Sequence, residues 1–298
     1  KALGNGASII ISSKDTLDIY GSLTAQQNIT ISAGNTLNAG TTSVTTYGTS
    51  SINTLDKDGQ ILISGYNDVV INSVIGKDKD GVVNNNLELI KISSTAGDVT
   101  LAKQSGWIET GASVQFIGDD ININGVIKST RVTASTYDDE VSFTGTGNIN
   151  LSGTLELEGS LKVDSGKDIV LVNTRMGIDN TDQHLKLYSD GNILLGTVNP
   201  TTGISLGAVV VYADKYLDIQ ALGKIVVAND AHIMTSGANS EVRISTSSLE
   251  VIGSIRAGAT FNSSTGVTTL TKTGGTIDIK TTSLTTLGGN GVDGTPRG

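Results

Sequence analysis

The 298-residue chain contains no cysteine, two prolines and only 4% aromatic residues. Without cysteine it forms no disulfide, no thiolate metal site and no cysteine nucleophile. Proline removes a backbone donor and is excluded from central strands, so its scarcity suits a chain that is hydrogen-bonded as strand almost throughout. The small number of bulky rings indicates a narrow interior filled by isoleucine, valine and leucine.

Charged residues and long apolar runs are also scarce. Charged residues make up 16% of the chain, against about 25% in ordinary globular proteins. The formal net charge is −9, which argues against a nucleic-acid partner, because phosphates demand a basic face. The longest apolar run, residues 204–213, is far shorter than the ~18 residues of a membrane span. The chain opens on Lys1 without a signal peptide, which indicates a mature or excised piece of a longer polypeptide.

Short strand-like segments recur along the chain. The stretch "QNITISAGNTLNAGTT", residues 27–42, alternates apolar and polar residues on each side of a polar corner, "SAGN", that tolerates turn dihedrals. Such alternation predicts strands with one buried face at 29–31 and 37–39. Helical periodicity is absent over any useful length. The same frame recurs to the end of the chain, beginning at Ile9, Ile29, Ile61, Val99, Ile121, Ile149, Ile169, Ile193, Ile225, Val242 and Ile277.

The spacing of these segments favours coiling over zigzagging. The intervals between the segments vary. The shortest intervals indicate one short repeating unit, and the longer intervals indicate the same unit with an insertion. Pairs such as Asp58-Gly59 and Asn124-Gly125 suit two-residue hairpins and leave a β-sandwich open, but most corners are longer. We therefore predict an all-β fold, a right-handed parallel β-helix (β-solenoid) of about 20 residues per coil with insertions, with roughly 11 to 14 coils. It forms one continuous domain over 1–287, followed by a Gly-rich tail or linker at 288–298.

Stacking of coils makes predictions for individual residues. Five isoleucines are expected to be buried: Ile29, Ile31, Ile61, Ile149 and Ile193. Two polar residues on the opposite face are expected to face solvent: Thr30 and Asn150. Three asparagines that precede inward-facing isoleucines are expected to stack as an amide ladder along the axis: Asn28, Asn148 and Asn192.

The units written "NITISAG", "GNINLSG", "GDVTLA" and "GTIDIK" resemble the repeats of filamentous-haemagglutinin-type adhesins of bacteria. The resemblance covers nearly the whole chain. It implies a long right-handed parallel β-helix, exported by two-partner secretion and located outside the cell or on its surface. The secretion module of that family carries an Asn-Pro-Asn-Gly-Ile-like motif. Residues 199–204 come near it, with an extra residue and in mid-chain, so this segment is not expected to be that module.

Few residues suggest catalysis. His184 and His232 are the only histidines and lie far apart in the chain, so we interpret both as surface or corner residues. Glu156 and Glu158 are spaced i, i+2 on one predicted strand, about 6.6 Å apart, which overlaps the range of glycosidase carboxylate pairs. Solvation of an outward face is the simpler interpretation. Trp107 and the scattered tyrosines suggest corner packing, with a sugar-binding stripe as the alternative.

Acidic clusters raise the question of calcium. Asp119-Asp120 and the acidic run at 138–140 are interpreted as corner and loop charges. "DKDG" at 56–59 and 78–81 lacks the ligand spacing of an EF-hand. "GGNGVDG" at 288–294 contains a single copy of the calcium-binding string of solenoid toxins, without a neighbouring coil to complete a cage. No phosphate loop, nucleophile elbow or dinucleotide fingerprint is present, so no catalytic, cofactor-binding or metal-ligating residue is assigned.

The sequence therefore predicts a non-enzymatic extracellular structural or adhesive β-solenoid, a shaft segment of a bacterial surface adhesin, without a cofactor. Two alternatives stay open: a self-assembling filament subunit that stacks end to end, and a polysaccharide lyase or hydrolase on a β-helix. Host or cell-surface glycans or proteins are expected partners. Little sequence precedes the first repeat at 7–9 or follows the last, so polar caps are not expected. The end coils are expected to contact the rest of a longer polypeptide or copies of the same chain.

Overall fold

The computed structural model describes residues 1–34, 43–47, 51–77, 82–84, 87–130, 141–178, 184–196, 207–262, 267–270, 275–283 and 286–287. Within these residues the regular structure is β-strand, and no helix is present that is long and apolar enough to cross a membrane. The first strands are β1 (Ile9–Ser13), β2 (Leu17–Ile19), β3 (Leu23–Ala25), β4 (Ile29–Ala33), β5 (Val44–Thr46), β6 (Ser51–Thr54), β7 (Gln60–Gly65), β8 (Val69–Ile71), β9 (Val74–Ile75), β10 (Leu89–Ser94), β11 (Val99–Leu101) and β12 (Trp107–Thr110). The middle strands are β13 (Ser113–Gly118), β14 (Ile121–Ile123), β15 (Val126–Ser129), β16 (Val141–Gly145), β17 (Ile149–Leu151), β18 (Thr154–Leu157), β19 (Leu161–Ser165), β20 (Ile169–Leu171), β21 (Arg175–Ile178), β22 (His184–Ser189), β23 (Ile193–Leu195) and β24 (Val209–Ala213). The last strands are β25 (Tyr216–Ala221), β26 (Lys224–Val227), β27 (Ala231–Thr235), β28 (Glu241–Thr246), β29 (Ser248–Val251), β30 (Ser254–Ala257), β31 (Ala259–Asn262), β32 (Val267–Leu270), β33 (Thr276–Thr281) and β34 (Thr286–Leu287).

The strands form three parallel sheets, and each coil contributes one strand to each sheet, except the last coil, whose described strands belong to sheets 1 and 2. Sheet 1 has 11 strands and begins β1-β4-β7, sheet 2 has 11 strands and begins β2-β5-β8, and sheet 3 has 10 strands and begins β3-β6-β9. An antiparallel hairpin, β31–β32, interrupts the last coil, so β28 pairs with β33 and β29 with β34. Eleven stacked strands span about 48 Å. The predicted parallel β-helix is confirmed.

The irregular repeat spacing has a structural cause. The frames at Ile9, Ile29 and Ile61 lie in sheet 1, whereas those from Val99 to Ile225 lie in sheet 2, and Val242 returns to sheet 1. The longest interval, from Ile61 to Val99, and the shortest, from Ile225 to Val242, are therefore steps between sheets and not coil lengths. In sheet 1 the equivalent positions, one in each coil, are Ile9, Ile29, Ile61, Ile90, Val114, Val141, Leu161, Leu185, Leu217, Val242 and Ile277.

Alternate residues of each strand fill one continuous core. All five isoleucines predicted to be inside are buried, and the phenyl rings of Phe116 and Phe143 meet there with centroids 5.3 Å apart. Thr30 and Asn150 point outward as predicted, but they are half-buried. The reason is that residues of adjacent coils lie only about 4.8 Å away along the axis. Asn150 Nδ2, for example, donates to Asn122 Oδ1 at 2.9 Å.

A ladder of aspartate and asparagine residues holds the corner before sheet 2. In each of them a side-chain oxygen accepts the backbone N–H of the equivalent residue one coil later. The donor nitrogens and distances are Asp98 on Asp68 (2.9 Å), Asp120 on Asp98 (3.1 Å), Asn148 on Asp120 (2.6 Å), Asp168 on Asn148 (3.3 Å), Asn192 on Asp168 (2.7 Å) and Lys224 on Asn192 (2.9 Å). We call the six accepting residues the corner ladder.

The predicted asparagine ladder is confirmed at two of its three positions. Asn148 and Asn192 belong to the corner ladder, but Asn28 lies at a different corner, before sheet 1, where its Oδ1 accepts from the backbone of Gln60 at 2.9 Å. Aspartates complete the ladder because a carboxylate oxygen accepts an N–H as an amide oxygen does. The strand predicted at 37–39 and the tail at 288–298 lie outside the described residues, and sheet 2 of that coil is supplied by β5.

Candidate functional site

The two histidines lie on different faces of the rod. His184 is on β22 in sheet 1, and its ring stacks on Tyr216 with centroids 4.7 Å apart. His232 is on β27 in sheet 3, where its Nδ1 lies 2.8 Å from Ser254 Oγ. Burial, with the positive charge of Arg256, lowers the pKa of His232, and Asp230 partly opposes this. The two histidines are therefore separated in the structure, which agrees with the sequence-based interpretation of them as separate surface or corner residues.

The glutamate pair faces solvent. Glu156 points outward from β18 and forms an ion pair with Lys128 at 3.0 Å, and Glu158 follows the end of that strand. Both side chains are exposed. Such a surface ion pair contributes little to stability. The pair occupies an open sheet surface of the rod.

The acidic segments have structural roles where they are described. Asp120 belongs to the corner ladder, and Asp119 Oδ1 accepts from Thr146 Oγ1 at 2.7 Å. Asp56 Oδ1 accepts from the backbone of Lys57 at 2.8 Å, at the start of a "DKDG". The segments at 78–81, 138–140, 199–204 and 288–294 lie outside the described residues. Among the residues that are described, no three His, Cys, Asp or Glu side chains form a group suited to a metal ion.

The aromatic residues do not form one stripe. Tyr20 and Tyr47 stack at a corner with ring centroids 4.4 Å apart. Trp107 lies on sheet 3, whereas Tyr188 and Tyr216 lie on sheet 1. Two concave regions nevertheless contain half-buried aromatic residues beside charged ones, and they are the candidate binding surfaces of the rod.

The first region, the sheet-1 patch, is defined by His184, Tyr216, Asp218, Glu241, Arg243 and Asp278. Its two adjoining hollows have volumes of about 390 and 350 Å³. Asp218, Arg243 and Asp278 occupy equivalent positions in successive coils, so charges of opposite sign alternate along the axis. The guanidinium of Arg243 also donates to both carboxylate oxygens of Glu241 at 2.8 Å, which raises the pKa of Arg243. The cation of the patch is therefore matched by a carboxylate of the patch itself.

The second region, the corner groove, lies between sheets 2 and 3 and is lined by Lys103, Trp107, Gly125, Gly153, Thr154 and Arg175, among others. Its volume is about 610 Å³. Glycine is required at its floor because neighbouring coils approach closely. A Cβ at Gly125 would clash with the carbonyl oxygen of Gly106, and one at Gly153 with that of Gly125. The missing side chains leave the depression.

One wall of the groove is a row of equivalent positions on sheet 3. Trp107, Val126, Thr154, Arg175 and Val210 pair in register over five coils, which is a length of about 19 Å. The row begins at an aromatic residue and contains a cation near its other end. It therefore offers an elongated ligand two different kinds of contact.

Trp107 is held rigidly at its end of the groove. Its Nε1 donates to Glu109 Oε2 at 3.2 Å, and the same oxygen accepts from Lys77 Nζ at 3.0 Å. The ammonium of Lys128 lies 5.6 Å from the centre of the indole ring, within range of a cation–π interaction. The ring is therefore placed before any ligand arrives.

Sequence reasoning singled out Trp107 but missed Lys103 and Arg175. The signal available was a glycine immediately before a strand of sheet 3, which recurs as Gly106-Trp107, Gly125-Val126 and Gly153-Thr154.

Comparisons with protein-family models, with curated proteins and with solved structures find no match for the chain. Its function is therefore inferred from its own geometry.

Proposed function

We propose that the chain is a non-enzymatic structural segment of an extracellular bacterial adhesin, a stiff shaft that also presents binding surfaces. The observation that carries this proposal is the stacking of eleven coils in three parallel sheets around one core. The backbone hydrogen bonds of the three sheets join each coil to the next, which ties the coils into one continuous stack. A shaft needs this property, and the sequence resemblance to adhesin repeats agrees with it.

The outer surface supports the adhesive part of the proposal. Coil lengths vary along sheet 1 while the inward positions keep their register. Insertions at the corners therefore alter the outside without altering the core. The grooves and patches of this surface contain aromatic and charged residues, and binding sites use such residues.

Two measurements test the proposal. Electron micrographs of the purified protein are expected to show short straight rods, and the protein is expected to bind glycan- or protein-coated surfaces and to compete with intact cells for them. Compact globular particles would contradict the shaft role, and rods that bind no such surface would contradict the adhesive role.

A second candidate, a self-assembling filament subunit, is favoured by the last strand of sheet 1. Ile277 and Ile279 on β33 are 42% and 37% exposed, although their partners Val242 and Ile244 on β28 are buried. An apolar end of this kind is suited to stacking against another coil. Micrographs at high protein concentration separate the two roles, since only a filament subunit forms long polymers.

The enzyme alternative is tested at the glutamate pair. Replacing Glu156 and Glu158 by Gln is expected to leave binding and structure unchanged, because both side chains are exposed and a surface ion pair contributes little to stability. A screen of acidic and neutral polysaccharides is expected to show no cleavage. Cleavage by the native chain that the double variant loses would replace the structural proposal with an enzymatic one.

A further inference from the structure

We infer that the corner groove is a binding site for acidic oligosaccharides, in which Arg175 receives a sugar carboxylate and Trp107 contacts an adjacent ring. The inference rests on the proposed adhesive function, to which it adds a place on the rod and a class of ligand. It is carried by the charge of the groove, by a buried donor without a partner, and by the position of the indole.

The charge of the groove is opposite to that of the molecule. The chain carries a net charge of −9, yet the described lining includes Lys103 and Arg175 and contains no aspartate or glutamate. Neither cation has a carboxylate partner among the described ion pairs. By contrast, Arg243 in the sheet-1 patch is fully matched by Glu241. The groove therefore favours an anion, and the patch has no such preference.

Arg175 supplies a second and independent observation. Its Nε is buried, yet it has no hydrogen-bond partner. A buried donor left without an acceptor is costly, and the planar guanidinium is shaped to hold a carboxylate through two parallel hydrogen bonds. Arg175 lines the groove and is only half-buried, so a ligand carboxylate there meets the part of the guanidinium that is open to the groove. A turn of the guanidinium toward this ligand also gives the buried Nε the acceptor that the protein does not offer.

The remaining lining fits a sugar better than a peptide. Trp107 presents an apolar ring about 14 Å from Arg175 along the axis, at three coil steps. Hydroxyl and amide side chains line the space between and beside them, including Thr154, Asn124 and Ser152. Saccharides bind through hydroxyl hydrogen bonds and apolar contact with aromatic rings. The groove runs across the corners between strands, so it offers a peptide no free strand edge to pair with.

Trp107 also makes the site directly observable, because it is the only tryptophan in the chain. Tetragalacturonate, added to the full chain at low ionic strength, is expected to change the tryptophan fluorescence saturably. The matched neutral probe, a galactose tetrasaccharide, is expected to change it little. Added salt is expected to weaken binding of tetragalacturonate, because Lys103 is exposed and salt screens its attraction to the anion.

Substitutions locate the site. Arg175→Gln and Lys103→Gln are each expected to weaken binding of tetragalacturonate, the first by about tenfold or more, as for loss of ~1.4 kcal/mol. The matched control, Arg243→Gln, removes a cation from the sheet-1 patch and is expected to leave the affinity within about twofold. Lys103 is exposed, so its variant stays informative even where Arg175→Gln destabilises the fold, which thermal melts of each variant report.

Each contrary result has its own meaning. Equal binding of the neutral probe, or an equal loss in Arg243→Gln, overturns the inference. So does the absence of any saturable fluorescence change. Calorimetry with the same probes then separates the two proposals. If the groove variants still bind tetragalacturonate, the corner groove is not the site, and the adhesive function stands at another surface. If well-formed rods of the native chain bind no glycan- or protein-coated surface, the adhesive function itself is overturned.

Discussion

At the scale of single residues, the side chains of the corner ladder accept backbone N–H groups that a neighbouring strand would otherwise accept. A carboxylate oxygen of each ladder aspartate accepts a backbone N–H of the next coil at 2.6 to 3.1 Å. These aspartates are Asp68, Asp98, Asp120 and Asp168. At these corners the chain turns, so no strand satisfies the N–H. A hydrogen bond to a charged acceptor contributes more than an ordinary one, although at Asp98 burial and the neighbouring carboxylates oppose this gain.

Replacing Asp168 by Ala is expected to lower the free energy of unfolding by about 1–2 kcal/mol. The change leaves the backbone N–H and the amide of Asn192 without their acceptor, which lies at 2.7 and 3.1 Å. Asp168→Asn keeps an oxygen there and is expected to recover most of the loss.

The measurement is urea denaturation of the wild type, of the two Asp168 variants and of one control. The control is Asp164→Ala, which removes a carboxylate of the same coil that forms a surface ion pair with Lys162 at 3.1 Å, and it is expected to cost less than about 0.5 kcal/mol. Equal losses in Asp164→Ala and Asp168→Ala would contradict the role given to the ladder.

Replacing Asp98 by Asn is expected to stabilise the protein at neutral pH. Burial, with the charges of Asp120 and Asp68 in adjacent coils, raises the pKa of Asp98 above its usual value. A raised folded pKa means that ionisation destabilises the folded state. The stability cost is absent below the unfolded pKa of about 3.9, grows as pH rises through the folded pKa, and is complete above it.

Thermal melts from pH 3 to pH 7 check this prediction. Asp98→Asn is expected to melt at a higher temperature than the wild type at pH 7. The difference is expected to vanish near pH 3, where the Asp98 carboxyl is protonated in both the folded and the unfolded wild type. An advantage that is constant across this range would show that electrostatics is not its cause.

Residue roles were predictable from the sequence where strand alternation alone decides them. Ile29 and Ile149 are buried because the side-chain period of a strand is two. Asn28 was assigned to the wrong corner because "Asn-Ile-x-Ile" looks the same before sheet 1 as before sheet 2. Of the ladder aspartates, the sequence singles out only Asp120, as a corner charge, since only the stacked structure reveals the backbone N–H that each aspartate accepts.

At the scale of strands and corners, the length of each insertion is what the sequence leaves open. The parallel β-helix and its short repeating unit follow from alternation and turn chemistry. The pairing of Ile61 with Ile90, and not with Val99, does not, because both begin the same pattern. The corner groove was equally inaccessible, since Trp107 and Arg175 are distant in the sequence and line one groove only once the coils are counted correctly.

Replacing Gly253 by Ala is expected to destabilise the protein by about 1–3 kcal/mol, the usual cost of overpacking. Gly253 occupies the corner before β30, where an added Cβ would clash with the carbonyl oxygens of Ala231 and Ala228. The two coils would have to separate, which would lengthen hydrogen bonds on both sides of the corner.

The matched control is Gly21→Ala, because an added Cβ there meets nothing within 4 Å. This variant is expected to be neutral within about 0.5 kcal/mol. Urea denaturation of both variants tests the difference. Similar stability of the two would show that coil separation at the corner is cheaper than the geometry indicates.

At the scale of the whole molecule, the two ends differ from the middle. β1 and β33 are the edge strands of sheet 1. Ile9, Leu17 and Leu23 in the first coil are only partly buried, as are Ile255 and Ala257 near the other end. In the part of the chain that the structure describes, the terminal coils thus leave apolar side chains partly exposed.

We expect the chain to associate end to end as its concentration rises from low to high micromolar, as followed by sedimentation velocity. Replacing Ile277 and Ile279 by Lys is expected to weaken the association, because charges would enter the apolar end. Leu222→Lys is the control, since Leu222 is 73% exposed at the corner between β25 and β26, two coils before the last. A strictly monomeric wild type with protected edge-strand amides would show that the ends are covered within the chain.

The direction of the backbone hydrogen bonds decides how such a rod responds to a pulling force. In all three sheets these bonds join one coil to the next, so they lie along the rod axis. A load on the two ends therefore breaks the hydrogen bonds of one coil at a time, so its three strands detach before those of the next coil. Each coil released gives roughly 70 to 120 Å of extended chain for about 4.8 Å of rod. Under flow, a tether of this construction lengthens in steps, and the coils that remain closed keep their shape and their surfaces.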